Sequence, residues 1–381
     1  MNILTGLAAD IYLAADTVGR ELTGFIPAAT QNAETTRVAI GDDVTSHFTR
    51  QATAVNVTPS MTIPEGTDQN VDNKKMQITK ARAVQIPWRG EEQRSVNNGV
   101  GYSSIYGDQI AQAMRTITNE IEADAYAELQ KSASLGFGAA NANLFATDFD
   151  AVIDGRQLLV NNGCPTDDIS LVLGGSVTGL RKLTGLNEAD KAGTTAFREN
   201  GTLLNIHQVQ MRESSQVSAQ TITGAGTHRI NDTDSSNTIV GSTSLEVDGT
   251  TTAPTAGEVF TLENQTQKYV VGSSSTTTLV NLNAGLLQAT ADNALLTYET
   301  GNYFHNFMFH RRAFEIAVRP PALPEEGDAA IDSLLVQDPF SGLVFEIRVY
   351  GGYRKAMIEV AAAWGVKGWK PEFIVSGLSN L

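Results

Sequence analysis

Apolar positions along this chain switch several times between a spacing of three or four and a spacing of two, and each switch marks a predicted element. Leu4, Leu7, Ala8, Ile11 and Ala15 fall at helical spacing, which predicts a short amphipathic helix over Asn2 to Ile26, closed by Pro27. Ala28 to Asp43 is polar and suits an extended arm. From Val44 to Trp88 the spacing becomes two. Ala54 to Thr58 and Met61 to Pro64 precede a turn-rich stretch, Glu65 to Asn70, and Met76 to Ile86 alternates again. This predicts a long two-stranded hairpin, which is marginal in water unless something else supports it.

Ser103 to Ser134 carries the strongest helical signal. Ile110, Met114, Ile117, Ile121, Ala125 and Leu129 mark one face, and Glu120, Glu122, Asp124, Glu128 and Lys131 lie off it. Such a helix is a rod of roughly 45 Å, ended by Gly136 and Gly138. Phe149 to Asn162 reads as a second helix, Ile169 to Leu173 as a buried strand and Val177 to Leu186 as a short helix. After Gly301, strands are expected at Phe307 to His310, Ala313 to Val318, Leu334 to Gln337, Leu343 to Val349 and Met357 to Val360, with breaks at Pro320, Pro321 and Pro324. The class is α+β.

Composition alters this picture in one region. Residues 217–300 hold 26 Ser plus Thr, 8 acids and 2 bases, with no Trp, Met or Cys. Short apolar runs recur between Gly and Asn/Asp turns at Ser244 to Val247, Val259 to Leu262, Lys268 to Val271, Thr278 to Leu282 and Ala294 to Thr297. These predict a small all-β insertion, a barrel or sandwich. The chain then divides into a helix and arm (1–43), an extended hairpin (44–102), a long-helix segment (103–148), a mixed α/β core (149–216), the insertion (217–300) and a return to the core (301–381).

The formal net charge is −15. An acidic chain repels phosphate backbones, which argues against grip on nucleic acid through a broad basic patch. The single cysteine, Cys164, rules out an intrachain disulfide. No apolar run reaches membrane-span length, and the beginning of the chain lacks the basic region of a signal peptide, so synthesis in a cytoplasm is expected.

Searches for chemistry return little. Gly174-Gly175-Ser176 lacks the Gly-Lys-Ser/Thr that completes a phosphate loop, and Leu135-Gly136-Phe137-Gly138 is half a dinucleotide fingerprint that follows a helix. None of the five histidines has zinc-ligand spacing, and no Gly-x-Ser-x-Gly elbow occurs. No catalytic residue, metal site or cofactor is therefore expected. One polar cluster stands out. Glu65, Asp68 and Asp72 lie near the hairpin tip, and Lys74, Lys75, Lys80 and Arg82 on its descending strand. On an isolated protein this is a solvated rim worth little; on a subunit of an assembly, these charges are candidates for setting register with a neighbour.

The last third of the chain carries a resemblance. Asn306 to Pro320, then Leu323-Pro324-Glu325, Asp338 to Leu343, Tyr350-Gly351-Gly352-Tyr353, Trp364 to Lys367 and Pro371-Glu372 resemble a segment of the capsid proteins of podovirus-like tailed phages. The layout as a whole is similar to the Hong Kong 97-type capsid fold, and within it to the Salmonella-podovirus coat-protein group with its inserted β domain. The resemblance implies an N-arm, an extended loop at about Val44 to Trp88, a peripheral domain with the long helix, and an axial domain. It implies a major capsid protein that assembles with itself as hexamers and pentamers in an icosahedral shell. The implied partners are a scaffolding protein, a portal protein, a decoration protein and enclosed double-stranded DNA bound without sequence specificity. The implied location is the virion, after synthesis in the host bacterial cytoplasm. An encapsulin-like nanocompartment shell shares the fold and is the alternative. An enzyme lacks a candidate set of residues here, and a β-rich adhesin or tail protein does not account for the long helix.

Overall fold

The computed structural model describes residues 3–21, 24–49, 54–63, 71–92, 102–183, 195, 199, 201, 203, 205–224, 228–232, 238–249, 252–338 and 341–380. The first helix is Ile3–Glu21 (α1), and Ile11, Ala14, Ala15 and Val18 bury one face of it. Pro27 does not close α1. It lies within a separate helical turn, Phe25–Ala28 (α2), after a break at Gly24. There follow β1 (Thr30–Ala33), β2 (Asp43–Thr49), β3 (Val71–Gln77) and β4 (Lys80–Arg89). The long helix is Tyr102–Ser132 (α3), close to its predicted limits. Leu135–Gly138 is a strand (β5), so the glycines expected to stop the helix belong to the next element.

Beyond it come α4 (Asp150–Asn161), β6 (Ile169–Leu173), α5 (Val177–Lys182) and β7 (Val209–Glu213). The Ser/Thr-rich region supplies β8 (His228–Ile230), β9 (Ser244–Asp248), β10 (Val259–Leu262), β11 (Lys268–Val270), β12 (Leu279–Asn281) and β13 (Leu295–Tyr298). The chain finishes with β14 (Phe304–His310), β15 (Phe314–Arg319), β16 (Ala330–Gln337), β17 (Val344–Gly352), β18 (Lys355–Gly368) and β19 (Ile374–Ser379). The α+β class expected from the sequence is the one observed.

Two large sheets organise these strands. The first runs β1-β15-β18-β17-β16, with β4 also paired to β18. The second runs β12-β9-β8-β13-β10-β11-β5-β19-β14-β6-β7. Helix α3 packs its apolar face, Ile110 through Leu129, into one core with Phe307, Phe309, Phe314, Ile316, Phe345 and Trp364. That core spans strands of both sheets. A second core lies between α4 and the long sheet and includes Val152, Leu159, Leu171, Met308 and Val375.

The predicted two-stranded hairpin is divided. Strand β2 pairs antiparallel with β3 from Asp43↔Gln77 to Thr49↔Val71. At Ile78 the chain changes partner, and β4 pairs with β18 from Lys80↔Trp364 to Arg89↔Lys355. Gly365 permits the crossing, because a Cβ there would collide with the Gln77 carbonyl oxygen. Strands β2 and β3 remain a two-stranded sheet, and only β4 gains a partner, β18, from the same chain. The arm is also held: β1 pairs in parallel with β15, and Val38 bridges Pro321.

The strands of residues 217–300 occur where the sequence places them, with β8 in addition. They are hydrogen-bonded to the core sheet through β11 and β5, at Lys268↔Gly136 and Tyr269↔Leu135. Asn283 completes the join. Its Nδ2 donates to the carbonyls of Lys131 (2.6 Å) and Ala133 (2.8 Å), satisfying backbone acceptors at the end of α3.

Candidate functional site

Of the seven charged residues picked out by the sequence, the four whose side chains are described, Lys74, Lys75, Lys80 and Arg82, do not form one cluster. Glu65 and Asp68 lie outside the described residues. Asp72 is on β3, opposite Phe48. Lys74 and Lys75 are also on β3. Lys75 reaches Asp43 across the β2–β3 ladder (3.1 Å), and Lys74 Nζ donates to the Trp369 carbonyl (3.5 Å). Lys80 and Arg82 are on β4, against the long helix. Lys80 Nζ meets Asp124 Oδ1 at 2.7 Å, and Trp364 Nε1 donates to the other oxygen of Asp124 at 2.8 Å. Arg82 Nε lies 3.4 Å from Glu120. Lys80 and Arg82 therefore tie β4 to α3 within one subunit.

A second feature of the hairpin was not singled out as a contact surface from sequence. Residues 54–63 belong to no strand, bend at Met61 and Thr62, and are exposed throughout. Val55 is 80% exposed, Val57 97%, and Met61 and Ile63 entirely or nearly so. Val55, Val57, Met61 and Ile63 thus present a row of apolar side chains to solvent within nine residues of chain. Pro59 breaks the ladder-forming potential in the middle of the row. The alternation was visible in the sequence. Its exposure was not, because alternating strands normally turn one face inward.

Buried charge fixes the arm. Arg37 forms a two-pronged pair with Glu346, at 2.8 and 2.5 Å, and donates to the Pro321 carbonyl. Arg319 reaches Glu34 (2.8 Å) and Asn32. Asn32 in turn donates to Glu315, whose other oxygen accepts from Trp369 Nε1 at 2.7 Å. Such paired, hydrogen-bonded charges specify one position for the arm, since breaking a pair strands its buried partner. Glu122 does the same for α2. Its carboxylate accepts from the backbone N–H groups of Phe25 and Ile26 (both 3.1 Å) and from Ser214 Oγ (3.0 Å). Burial pushes its pKa up.

Two chemically reactive side chains, Cys164 and His310, are held in the packing. Cys164 is buried, and burial pushes its thiol up to about 12, far from nucleophilic poise. His310 accepts from the Arg312 backbone N–H at its Nδ1. Among the described residues no three His, Cys, Asp or Glu side chains gather as a metal-ligand group, and no helix is long and apolar enough to cross a membrane.

No family model matches the chain, and no curated protein matches it. Solved structures similar to it include the capsid of cyanophage P-SCSP1u, at 12% identity over 92% of this chain and 86% of that one, with a TM-score of 0.47. The capsid of Myoviridae phage XM1 is similar at 10% identity over 93% and 90%, with a TM-score of 0.45. The capsid of a native GTA particle is similar at 11% identity over 97% and 91%, with a TM-score of 0.44.

Proposed function

We propose that this chain is a major capsid protein of the Hong Kong 97 type, which assembles with itself into an icosahedral shell of hexamers and pentamers around double-stranded phage DNA. The observation that carries the reading is the row Val55, Val57, Met61 and Ile63. It is apolar, exposed and without a covering element among the described residues. Removing such side chains from water is worth roughly 2 kcal/mol apiece, so the row favours a partner that covers it, and a shell supplies one in every neighbouring copy. The order of elements supports the same reading: a pinned arm, a projecting hairpin, a helix of 31 residues and a mixed core.

In this reading, α3 and the six-stranded sheet form the peripheral domain, strands β5, β6, β7, β14 and β19 of the long sheet form the axial domain, and residues 217–300 are the inserted β domain. Scaffolding and portal proteins are the assembly partners, a decoration protein is a further one, and the location is the virion after synthesis in the host bacterial cytoplasm. The chain works by contact and carries no catalytic step.

Negative-stain microscopy of the purified protein, alone and with its scaffold, tests this. Closed particles are expected. Replacing Val55, Val57, Met61 and Ile63 by Ser should abolish them while moving stability by no more than about 0.5 kcal/mol, as for other surface changes. Monomers in every wild-type preparation would sink the proposal.

A further inference from the structure

The six-stranded sheet ends in two patches of opposite charge. At one, the β17–β18 turn, Tyr353-Arg354, meets the end of β4. Lys355 pairs with Arg89 in the ladder, and the Gly90 N–H donates to the Arg354 carbonyl at 3.2 Å. Together they line a cleft of about 700 Å³. Arg89, Arg354 and Lys355 are exposed there, Tyr353 is 89% exposed, and Glu91 is the one acid among the described lining residues, with the Glu92 carboxylate accepting from the Arg89 backbone N–H at 3.0 Å. Arg354 holds a left-handed backbone (φ 55°), and its guanidinium lies 5.7 Å from the centre of the Tyr353 ring. None of the three cations has a carboxylate partner among the described residues. In a chain of net charge −15, three cations around one cleft with no ion pair among the described residues are out of keeping with the net charge.

The other patch is a turn leading into β16. Gly327 (φ 80°) donates its N–H to the Pro324 carbonyl, and Glu325 and Glu326 are exposed on the turn between them. Asp328 is used internally, by Arg348 at 2.5 Å and by Tyr350 at 2.9 Å. Glu325 and Glu326 have no cationic partner among the described residues. Ladder register puts this turn at the same end of the sheet as the cleft, through Ala330↔Tyr350, Gly352↔Lys355 and Lys355↔Arg89. Three strand spacings separate β16 from β4, about 14 Å, so the two patches sit side by side.

We infer that the cleft at Arg89, Arg354 and Lys355 receives the Glu325-Glu326 turn of a second copy of this chain, with Tyr353 as the apolar contact at its rim. Two different patches on one end make a head-to-tail contact, and repeated head-to-tail contacts close into a ring when the rotation allows. Pairing of exposed charges of this kind sets register and partner choice, and fixes which end of one subunit faces which end of the next. The inference rests on the shell reading above but concerns residues remote in sequence from the apolar row.

Carbodiimide coupling, which joins a carboxylate to a lysine amine, tests it in the wild-type protein. Mass spectrometry of the assembled fraction should find Lys355 joined to Glu325 or Glu326, and the monomer fraction should lack that product. R354E/K355E and E325K/E326K should each slow assembly at least tenfold, with melting temperatures close to wild type. The four changes combined should restore the rate to within about threefold. Wild-type particles that lack the product, together with reversals that leave assembly unchanged, would overturn the inference and leave the shell reading intact. The same product in the monomer fraction would overturn it too, because the pairing would then lie within one chain. A cleft that binds a short DNA duplex, with R354E/K355E abolishing binding but not assembly, is a phosphate site and likewise overturns it. Wild-type protein that never assembles removes the shell reading itself.

Discussion

His305 is fully buried in β14, stacked on Phe307 with ring centres 5.4 Å apart. Gln220 Oε1 lies 3.0 Å from its Nε2 and Ser376 Oγ lies 2.6 Å from its Nδ1. The Gln220 oxygen also accepts from Gln130 Nε2 (3.2 Å), which makes Nε2 of His305 the protonated nitrogen and Nδ1 the acceptor of the serine hydroxyl. Burial lowers the His305 pKa to about 3. The unfolded chain binds this proton at an ordinary pKa near 6.5, so the neutral ring's contribution is complete above that value and is lost as pH falls toward 3. H305Q should therefore be less stable than wild type at pH 7.5 by about 1 to 3 kcal/mol, from the disturbed buried hydrogen bonds. The gap should narrow steadily between pH 6.5 and pH 4 in urea denaturation. A gap independent of pH would show that His305 titrates normally. The structural role of this histidine was legible in the sequence, because it sits in a strand-rich segment with no ligand spacing. Its partners were not, since Gln220 and Ser376 arrive from elements far away in the chain.

At the scale of elements, the join between β11 and β5 decides what residues 217–300 do in the fold. Val259 and Val270 pack into the core built on α3, and the Val259 N–H donates to the hydroxyl of Tyr303, just before β14, at 3.1 Å. Deleting 217–300 would strip β5 of one neighbour, remove the Asn283 cap of α3 and uncover this core. Loss of soluble monomer is expected, measured by size-exclusion chromatography of the deletion. A soluble monomer that builds aberrant shells would instead assign the region to assembly control. Periodicity located α3 well because six apolar side chains share one face of it. It missed β1, whose Thr-Gln-Asn-Ala sequence has no alternation and is a strand only by its register with β15. It also missed the division at Ile78. The alternation of Met76, Ile78, Val84 and Ile86 continues through that point, and what changes there is the partner. For the same reason Lys80 and Arg82 read as hairpin charges, whereas their partners Asp124 and Glu120 lie on a helix some forty residues on.

For the molecule as a whole, the two sheets are not stacked from consecutive pieces of chain. Strand β19 pairs with β5 in parallel and with β14 antiparallel, so residues from the two ends of the folded core meet inside the longest sheet. Its six residues are all buried. A chain ended before Ile374 would leave β5 and β14 with facing, unpaired edges, an arrangement prone to aggregation. Such a product should pellet and should show no cooperative melt; a soluble, cooperatively melting truncation would contradict this role for β19.

The position of β19 also sets a clock on synthesis. Strand β5 has been made by Gly138, yet its parallel partner begins only at Ile374. At bacterial and eukaryotic ribosome speeds of about 5 to 20 residues per second, β5 waits roughly 10 to 50 seconds for that partner. Until residue 379 has been added, no nascent subunit holds its largest sheet closed. A chain cut short during translation therefore lacks the partner that β5 and β14 both need.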